Sequence, residues 1–216
     1  MNVTSGMREE VAVNRIIVIG ASAGGVEALC GLVEALPEDW PAVVFIAMHI
    51  GPRSILPDIL NRCIGHGVVE FPRNREQIRP GRIYVATPAH HLTIAGAQVR
   101  LTKATKEHRF TPSVDFLFQS AARVFGPRAI GVILTGLLND GAAGIAAIKA
   151  KGGVAVVQDP KGAQFPQMPL NAIRAASVDY CLQLVQIPAL LKELVASTSS
   201  LILGGSTTKA GEYEAS

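Results

Sequence analysis

Three short stretches of this chain carry the side-chain types that acyl transfer needs. In the first, the apolar run Ile16-Ile17-Val18-Ile19 breaks into Gly20-Ala21-Ser22-Ala23-Gly24 and then turns amphipathic. That pattern fits the G-x-S-x-G template, in which a serine is exposed at the apex of a strand-to-helix turn and flanking glycines let the backbone reverse. The second stretch, Phe45-Ile46-Ala47-Met48-His49, ends an apolar run on an imidazole. The third runs from Gly131-Val132-Ile133-Leu134 into Thr135-Gly136-Leu137-Leu138-Asn139-Asp140-Gly141 and supplies a carboxylate. A serine hydroxyl attacks a carbonyl only when a base takes its proton, and that base needs a carboxylate to fix its tautomer. Ser22, His49 and Asp140 match those three roles.

Each residue also has a plainer use. Ser22 is suited to cap a helix, His49 to sit at a core boundary, and Asp140 before Gly141 to form a turn or cap the following helix. The first stretch fits a second template too, a loosened dinucleotide fingerprint Gly20-x-Ser22-x-x-Gly25. A nucleotide-binding module is therefore an alternative, as is a non-catalytic binding module. A dinucleotide site expects an acid at the end of the second strand, and that strand ends Ala47-Met48-His49, which counts against NAD. The order Ser, His, Asp also departs from the Ser, Asp, His order of α/β-hydrolases. Of the other histidines, His66 and His108 fall in loops. The adjacent His90-His91 would point to opposite faces of a strand, so no metal site is expected and no cofactor is required.

Alternating elements must position these residues. Arg15–Ile19, Val43–Met48, Ala129–Leu134 and Val154–Gln158 are rich in Val and Ile without polar alternation, as strands buried on both faces are. Helical patterns separate them at Gly25–Leu36, Ser54–Cys63, Ser113–Phe125 and Gly141–Lys151, with a last one at Ile187–Val195. The fold class is α/β: a doubly wound, mostly parallel, Rossmann-like sheet with helices on both faces. The short runs Ile83–Ala86, Leu92–Ile94 and Val99–Leu101 read as an antiparallel ribbon inserted in it. In such a sheet ligands bind beyond the carboxyl ends of the strands, where Ser22, His49 and Asp140 all fall.

Composition narrows the function classes. Of the 216 residues 49% are hydrophobic and 17% charged, which fits one globular domain. The net charge of +3 is spread without a basic run, so a nucleic-acid partner is not expected. Cys30, Cys63 and Cys181 are an odd number without a C-x-x-C pair, which suggests neither a disulfide framework nor zinc, and a reducing cytoplasmic home. No signal-peptide core or bilayer-length apolar run is present, so the chain is not expected to be membrane-embedded. The organisation reads as a flexible leader over 1–13, a catalytic domain over 14–195 and an unstructured Ser/Thr/Gly-rich tail over 196–216. The pattern carries no reading of oligomeric state.

With these residues in view, the chain resembles the catalytic domain of the chemotaxis protein-glutamate methylesterases, the CheB family. The resemblance rests on an ordered series of motifs: Ile19-Gly20-Ala21-Ser22-Ala23-Gly24-Gly25, His49-x-x-Pro52, Gly81-Arg82-Ile83-Tyr84-Val85-Ala86-x-Pro88-x-x-His91-Leu92, Pro112-Ser113-Val114-Asp115, Gly131-Val132-Ile133-Leu134-Thr135-Gly136, Asn139-Asp140-Gly141-Ala142-x-Gly144 and Met168-Pro169-x-x-Ala172-Ile173. It implies that Ser22 is the nucleophile, His49 its base and Asp140 the residue that orients His49. It further implies hydrolysis of glutamate γ-methyl esters on the cytoplasmic helices of a methyl-accepting chemotaxis receptor, with glutamine deamidation in some members. The backbone N–H groups of Ala23 and Leu137 are the expected oxyanion donors. Ala23 stands where the family usually has threonine, Leu137-Leu138 replaces methionine-glycine, and Gln167 and Leu170 replace a glycine and an arginine. The familiar form carries an N-terminal receiver domain. With only 1–13 ahead of the domain, this chain is expected to be a stand-alone esterase that phosphorylation in cis does not gate.

Overall fold

The computed structural model describes residues 15–38, 40–49, 51, 53–65, 68–105 and 110–203, with side chains as far as residue 197. In chain order the elements are β1 (Ile16–Ala21), α1 (Gly25–Glu34), β2 (Val43–Met48), α2 (Leu56–Ile64), β3 (Val69–Glu70), β4 (Ile83–Val85), β5 (His90–Ala95), β6 (Gln98–Lys103), α3 (Val114–Phe125), β7 (Ala129–Ile133), α4 (Ala142–Ala150), β8 (Val154–Gln158), α5 (Gln167–Ala175), β9 (Tyr180–Leu182) and α6 (Ile187–Leu203).

Seven strands form one parallel sheet in the order β3-β4-β2-β1-β7-β8-β9. The first strand lies at its centre. The chain builds outward from β1 through β2, then returns to the other side of β1 with β7, so the strand order reverses between β1 and β7. A crevice opens at such a reversal on the carboxyl edge.

Successive residues of a strand face opposite sides, and here both sides are dry. Ile17, Ile19, Val44, Ile46, Ile130 and Val132 pack under α1, α2 and α6, where Leu29, Leu32, Leu60, Ile187 and Leu191 meet them. Ile16, Val18, Val43, Phe45, Ile133 and Val157 face α3, α4 and α5 through Leu117, Phe118, Ile145, Ile148 and Met168. Each fully buried Leu, Ile or Phe side chain contributes about 1.5–3 kcal/mol. The two aliphatic layers therefore hold the central strands rigidly, and with them the strand-end residues.

Several elements differ from expectation. The run at Ile83 is β4 of the main sheet, parallel to both β2 and β3, and only β5 and β6 form the antiparallel hairpin. That hairpin is a separate two-stranded sheet laid on α3, fastened by the Ile94 N–H donating to Ser120 Oγ at 3.0 Å. Strand β4 is three residues long, too short for periodicity to separate it from the ribbon. Helix α5 was not anticipated because its prolines mask it. Pro169 lies in the first turn, where no intrahelical donor is lost.

Helix α6 runs to Leu203, beyond the helical pattern Ile187–Val195 read from the sequence. Once a helix is nucleated each further residue adds a backbone hydrogen bond, and Ser197 Oγ donates to the Leu194 carbonyl at 3.0 Å. The leader over 1–13 and the tail from 204 lie outside the described residues, as do His66, His108 and Pro52.

The cysteine expectation is corrected. Cys30 on α1 and Cys63 on α2 form a disulfide, with Cα atoms 5.5 Å apart, while Cys181 is free. Counting cysteines could not find the pair, because it is made by the packing of two helices far apart in sequence.

Candidate active site

The carboxyl edge gathers the expected residues. Ser22 directly follows β1, and its N–H donates to the Thr135 carbonyl at 3.1 Å, joining the β1 and β7 ends. Gly24 adopts φ 70°, the left-handed conformation that lets α1 begin at once. Gly20 serves a different purpose from turning. A Cβ there would overlap Val114 Cγ1, so glycine lets α3 approach β1.

His49 follows β2 and joins the other two. Its Nδ1 lies 3.0 Å from Ser22 Oγ and its Nε2 lies 2.8 Å from Asp140 Oδ2. A carboxylate accepts only, so Nε2 carries the proton and Nδ1 presents its lone pair to the serine hydroxyl. The Phe110 ring stacks on the imidazole at 5.1 Å between centroids and 11° between planes, covering one face. His49 is only 20% exposed and the Asp140 side chain is fully buried.

Asp140 is held more thoroughly than sequence suggests. Oδ2 also accepts the Val114 N–H at 2.8 Å, and Oδ1 accepts the Asp115 N–H at 3.0 Å and the Ser113 hydroxyl at 3.1 Å. These donors are the N-cap and first turn of α3, so the carboxylate sits at that helix's positive end. Burial alone would raise the Asp140 pKa. The hydrogen bonds from His49, Val114 and Asp115 outweigh it and hold the carboxyl below the ordinary value, so Asp140 stays ionised beside the imidazole.

Helix α4 is capped in return. Asp115 Oδ1 accepts the N–H groups of Gly141 at 2.9 Å and Gly144 at 2.6 Å. Burial raises the Asp115 pKa; the Gly144 N–H opposes this, and the neighbouring Asp140 charge adds to it. The two helix starts thus exchange carboxylates, which fixes Asp140 to better than loop precision. Ser113, Val114 and Asp115 were legible only as a motif without a role. Their function appears once α3 is seen to begin where Asp140 ends.

Of the two expected oxyanion donors, Ala23 directly follows the nucleophile in the chain and Leu137 lies on the loop whose Gly136 passes Ser22. Ala23 lies between Ser22 and the start of α1, with its carbonyl held by Thr135 Oγ1 at 3.1 Å, while the Phe165 N–H donates to that same hydroxyl at 2.9 Å. Leu137 follows Gly136, whose chain passes so close that a Cβ would lie 2.9 Å from Ser22 Cβ and overlap Met168 Sδ. Buried Gln158 accepts the Thr135 N–H at 2.8 Å. Gln158 was missed although it ends β8, the criterion that selected His49. Phe110 left no sequence signal. Beside His49 an open cleft of about 510 Å³ is lined by Val26, Met48, Gly51, Arg53, Ser54 and Ile55.

Two further histidines are accounted for. His90 Nδ1 lies 2.9 Å from the Pro88 carbonyl, and buried His91 accepts the Ser113 N–H on Nδ1 at 3.2 Å. Ser113 thus touches His91 only through its backbone N–H and Asp140 through its hydroxyl, a different arrangement from the side-chain line Ser22-His49-Asp140. Its hydroxyl proton goes to Asp140 rather than to a base, and Ser113 is only 7% exposed. Among the described residues no group of three His, Cys, Asp or Glu is placed to hold a metal ion, and no helix is long and apolar enough to cross a membrane.

Comparison with known proteins agrees with this architecture. The CheB methylesterase family model matches residues 17–191. A putative protein-glutamate methylesterase/protein-glutamine glutaminase of Leptospira interrogans is 40% identical over 185 residues, spanning 82% of this chain and 93% of that protein. Protein-glutamate methylesterase/protein-glutamine glutaminase 2 of Anaeromyxobacter dehalogenans is 38% identical over 83% of this chain and 53% of its own length. The crystal structure of the Thermotoga maritima CheB methylesterase catalytic domain superposes with a TM-score of 0.77 at 29% identity, covering 85% of this chain and 98% of that one. Since the family model spans the sheet from β1 into α6 and the identity extends over nearly the whole described chain, this protein belongs to the CheB methylesterase family.

Proposed function

We propose that this chain hydrolyses the γ-methyl esters of glutamate residues on the cytoplasmic helices of a chemoreceptor, and deamidates glutamine there, with Ser22 as nucleophile. The observation that carries the reading is the continuous line Ser22 Oγ to His49 Nδ1 at 3.0 Å and His49 Nε2 to Asp140 Oδ2 at 2.8 Å. Family membership and the names of its relatives support the substrate class, and action on a receptor's cytoplasmic helices would call for a cytoplasmic enzyme.

In the first step Ser22 Oγ attacks the ester carbonyl as its proton passes to His49 Nδ1. The imidazolium that forms is stabilised by Asp140, which remains ionised. The Ala23 and Leu137 N–H groups receive the tetrahedral oxyanion, the part that backbone donors play in acyl transfer. Collapse breaks the bond to the methoxy oxygen, which takes the proton from His49 and leaves as methanol. Water then enters, loses a proton to the same nitrogen and attacks the acyl-enzyme, releasing glutamate and restoring Ser22. Ester and water become carboxylic acid and methanol, with no external oxidant, reductant or cofactor.

The second reading to exclude is attack by Ser113, whose hydroxyl also contacts Asp140 at 3.1 Å. Measuring methanol release from a methyl-esterified receptor fragment separates the two. Ser22→Ala should lose on the order of a millionfold in rate, as loss of a nucleophile does. Ser113→Ala should lose roughly tenfold, the effect of one hydrogen bond to Asp140. Undiminished release by Ser22→Ala would overturn the proposal, and a millionfold loss in Ser113→Ala alone would install the second reading.

A further inference from the structure

The loop after β7 contains a conformation that its own sequence does not favour. Leu138 has φ 67°, the left-handed region in which a side-chain-bearing residue is uncommon. Such a residue persists only where its surroundings over-determine it. Core packing does not supply that constraint, because Leu137 and Leu138 are 40% and 52% exposed.

Hydrogen bonds fix both ends of the loop. Upstream, the Gly136 N–H donates to the Phe165 carbonyl at 2.9 Å and the Met168 N–H donates to the Gly136 carbonyl at 3.0 Å. Downstream, the Ala142 N–H donates to the Asn139 carbonyl at 3.2 Å. Between them, Asn171 Nδ2 donates to the Leu138 carbonyl at 2.6 Å. Asn171 lies on α5, whose Met168 and Ala172 are seated in the core, so the donor stands on a rigid element.

We propose that Asn171 is a positioning residue for the acyl-transfer site: by holding the Leu138 carbonyl it keeps the loop in its left-handed turn and keeps the Leu137 N–H beside Ser22. The inference rests on the reading of Ser22 as nucleophile and Leu137 as oxyanion donor. It makes the 137–138 turn dependent on a side chain 33 residues away. A glycine at position 138 would adopt the same φ without strain and would not need the tether.

The test is a double-mutant cycle over Asn171→Ala and Leu138→Gly, read by kcat and KM for a methyl-esterified receptor fragment and by the rate at which a fluorophosphonate labels Ser22. With Leu138 present, Asn171→Ala should lower kcat and the labelling rate by roughly tenfold with KM within about twofold and the melting temperature little changed. In the Leu138→Gly background the same substitution should cost less than about twofold, a coupling that additive structural damage does not produce. Equal losses in the two backgrounds, or a loss confined to KM, would overturn the proposal. If wild-type protein is labelled, Ser22→Ala is not, and Asn171→Ala is labelled at the wild-type rate, the positioning role fails while the nucleophile stands. If wild-type protein is not labelled at all, the underlying reading fails and this inference falls with it.

Discussion

Replacing Asp140 by asparagine tests the site at its most constrained point. The carboxylate accepts four hydrogen bonds, two on each oxygen. The amide fits best with its carbonyl in the Oδ2 position, still accepting from His49 Nε2 and Val114 N. Its NH2 then takes the Oδ1 position, where Ser113 can turn its hydroxyl to accept but the Asp115 N–H faces another donor. One buried N–H left without an acceptor costs about 1–3 kcal/mol. Losing the negative charge at the N-terminus of α3 costs up to about 2 kcal/mol more. The sum is about 3 kcal/mol, which in a domain of this size lowers the melting temperature by roughly 6–12 °C. Catalysis suffers more, because the developing imidazolium loses its counter-charge. Removing one partner of a buried ion pair costs about 3–5 kcal/mol, so a loss on the order of 10³ in kcat is expected. Methanol release and thermal melting of Asp140→Asn measure the two effects separately. A variant within tenfold of wild-type kcat would refute the role given to Asp140, and an unchanged melting temperature would refute the accounting of its donors.

Stability should respond to pH through the two exchanged carboxylates with opposite signs. Because Asp140 is held below its ordinary value, its contribution is complete above the unfolded aspartate pKa of about 3.9 and is lost as pH falls from there through the lower folded value. Asp115 is raised, so its ionised form weakens the fold at neutral pH; Asp115→Asn keeps an acceptor for Gly141 and Gly144. That variant should lack the wild-type gain in stability that comes as Asp115 protonates on acidification, read by thermal melting against pH, and an equal gain in both proteins would contradict the raised value. Gly136→Ala would drive a methyl group against Met168 and Ser22, costing about 1–3 kcal/mol of stability and on the order of 10² in kcat; an active, stable variant in those two assays would show that the loop does not pass where described. The Cys30–Cys63 bridge closes a separation of 33 residues, worth about 3–4 kcal/mol in the chain-entropy account. Thiol titration of the unfolded, unreduced protein should therefore count one thiol, with reductant lowering the melting temperature, and a count of three would remove the bridge.

The sequence by itself determined the layered α/β architecture, because strands buried on both faces must be continuously apolar, as Ile16–Ile19 and Val43–Met48 are. It also determined where chemistry falls, since Ser22, His49 and Asp140 each end or follow such a run and parallel strands share one carboxyl edge. What the sequence could not contain was the meeting of elements distant along the chain. Ser113 and Asp115 looked like the start of a helix, and only packing of α3 against α4 makes them the cradle of Asp140 and the cap of its helix. Gly20 looked like a turn glycine, and only the approach of Val114 shows that it is needed for space. Cys30 and Cys63 looked unpaired until α1 and α2 lay side by side. Local pattern specifies which face of an element is apolar and where the element ends. Hydrogen-bond partners and close approaches depend on how those faces are docked, and tertiary structure alone decides that.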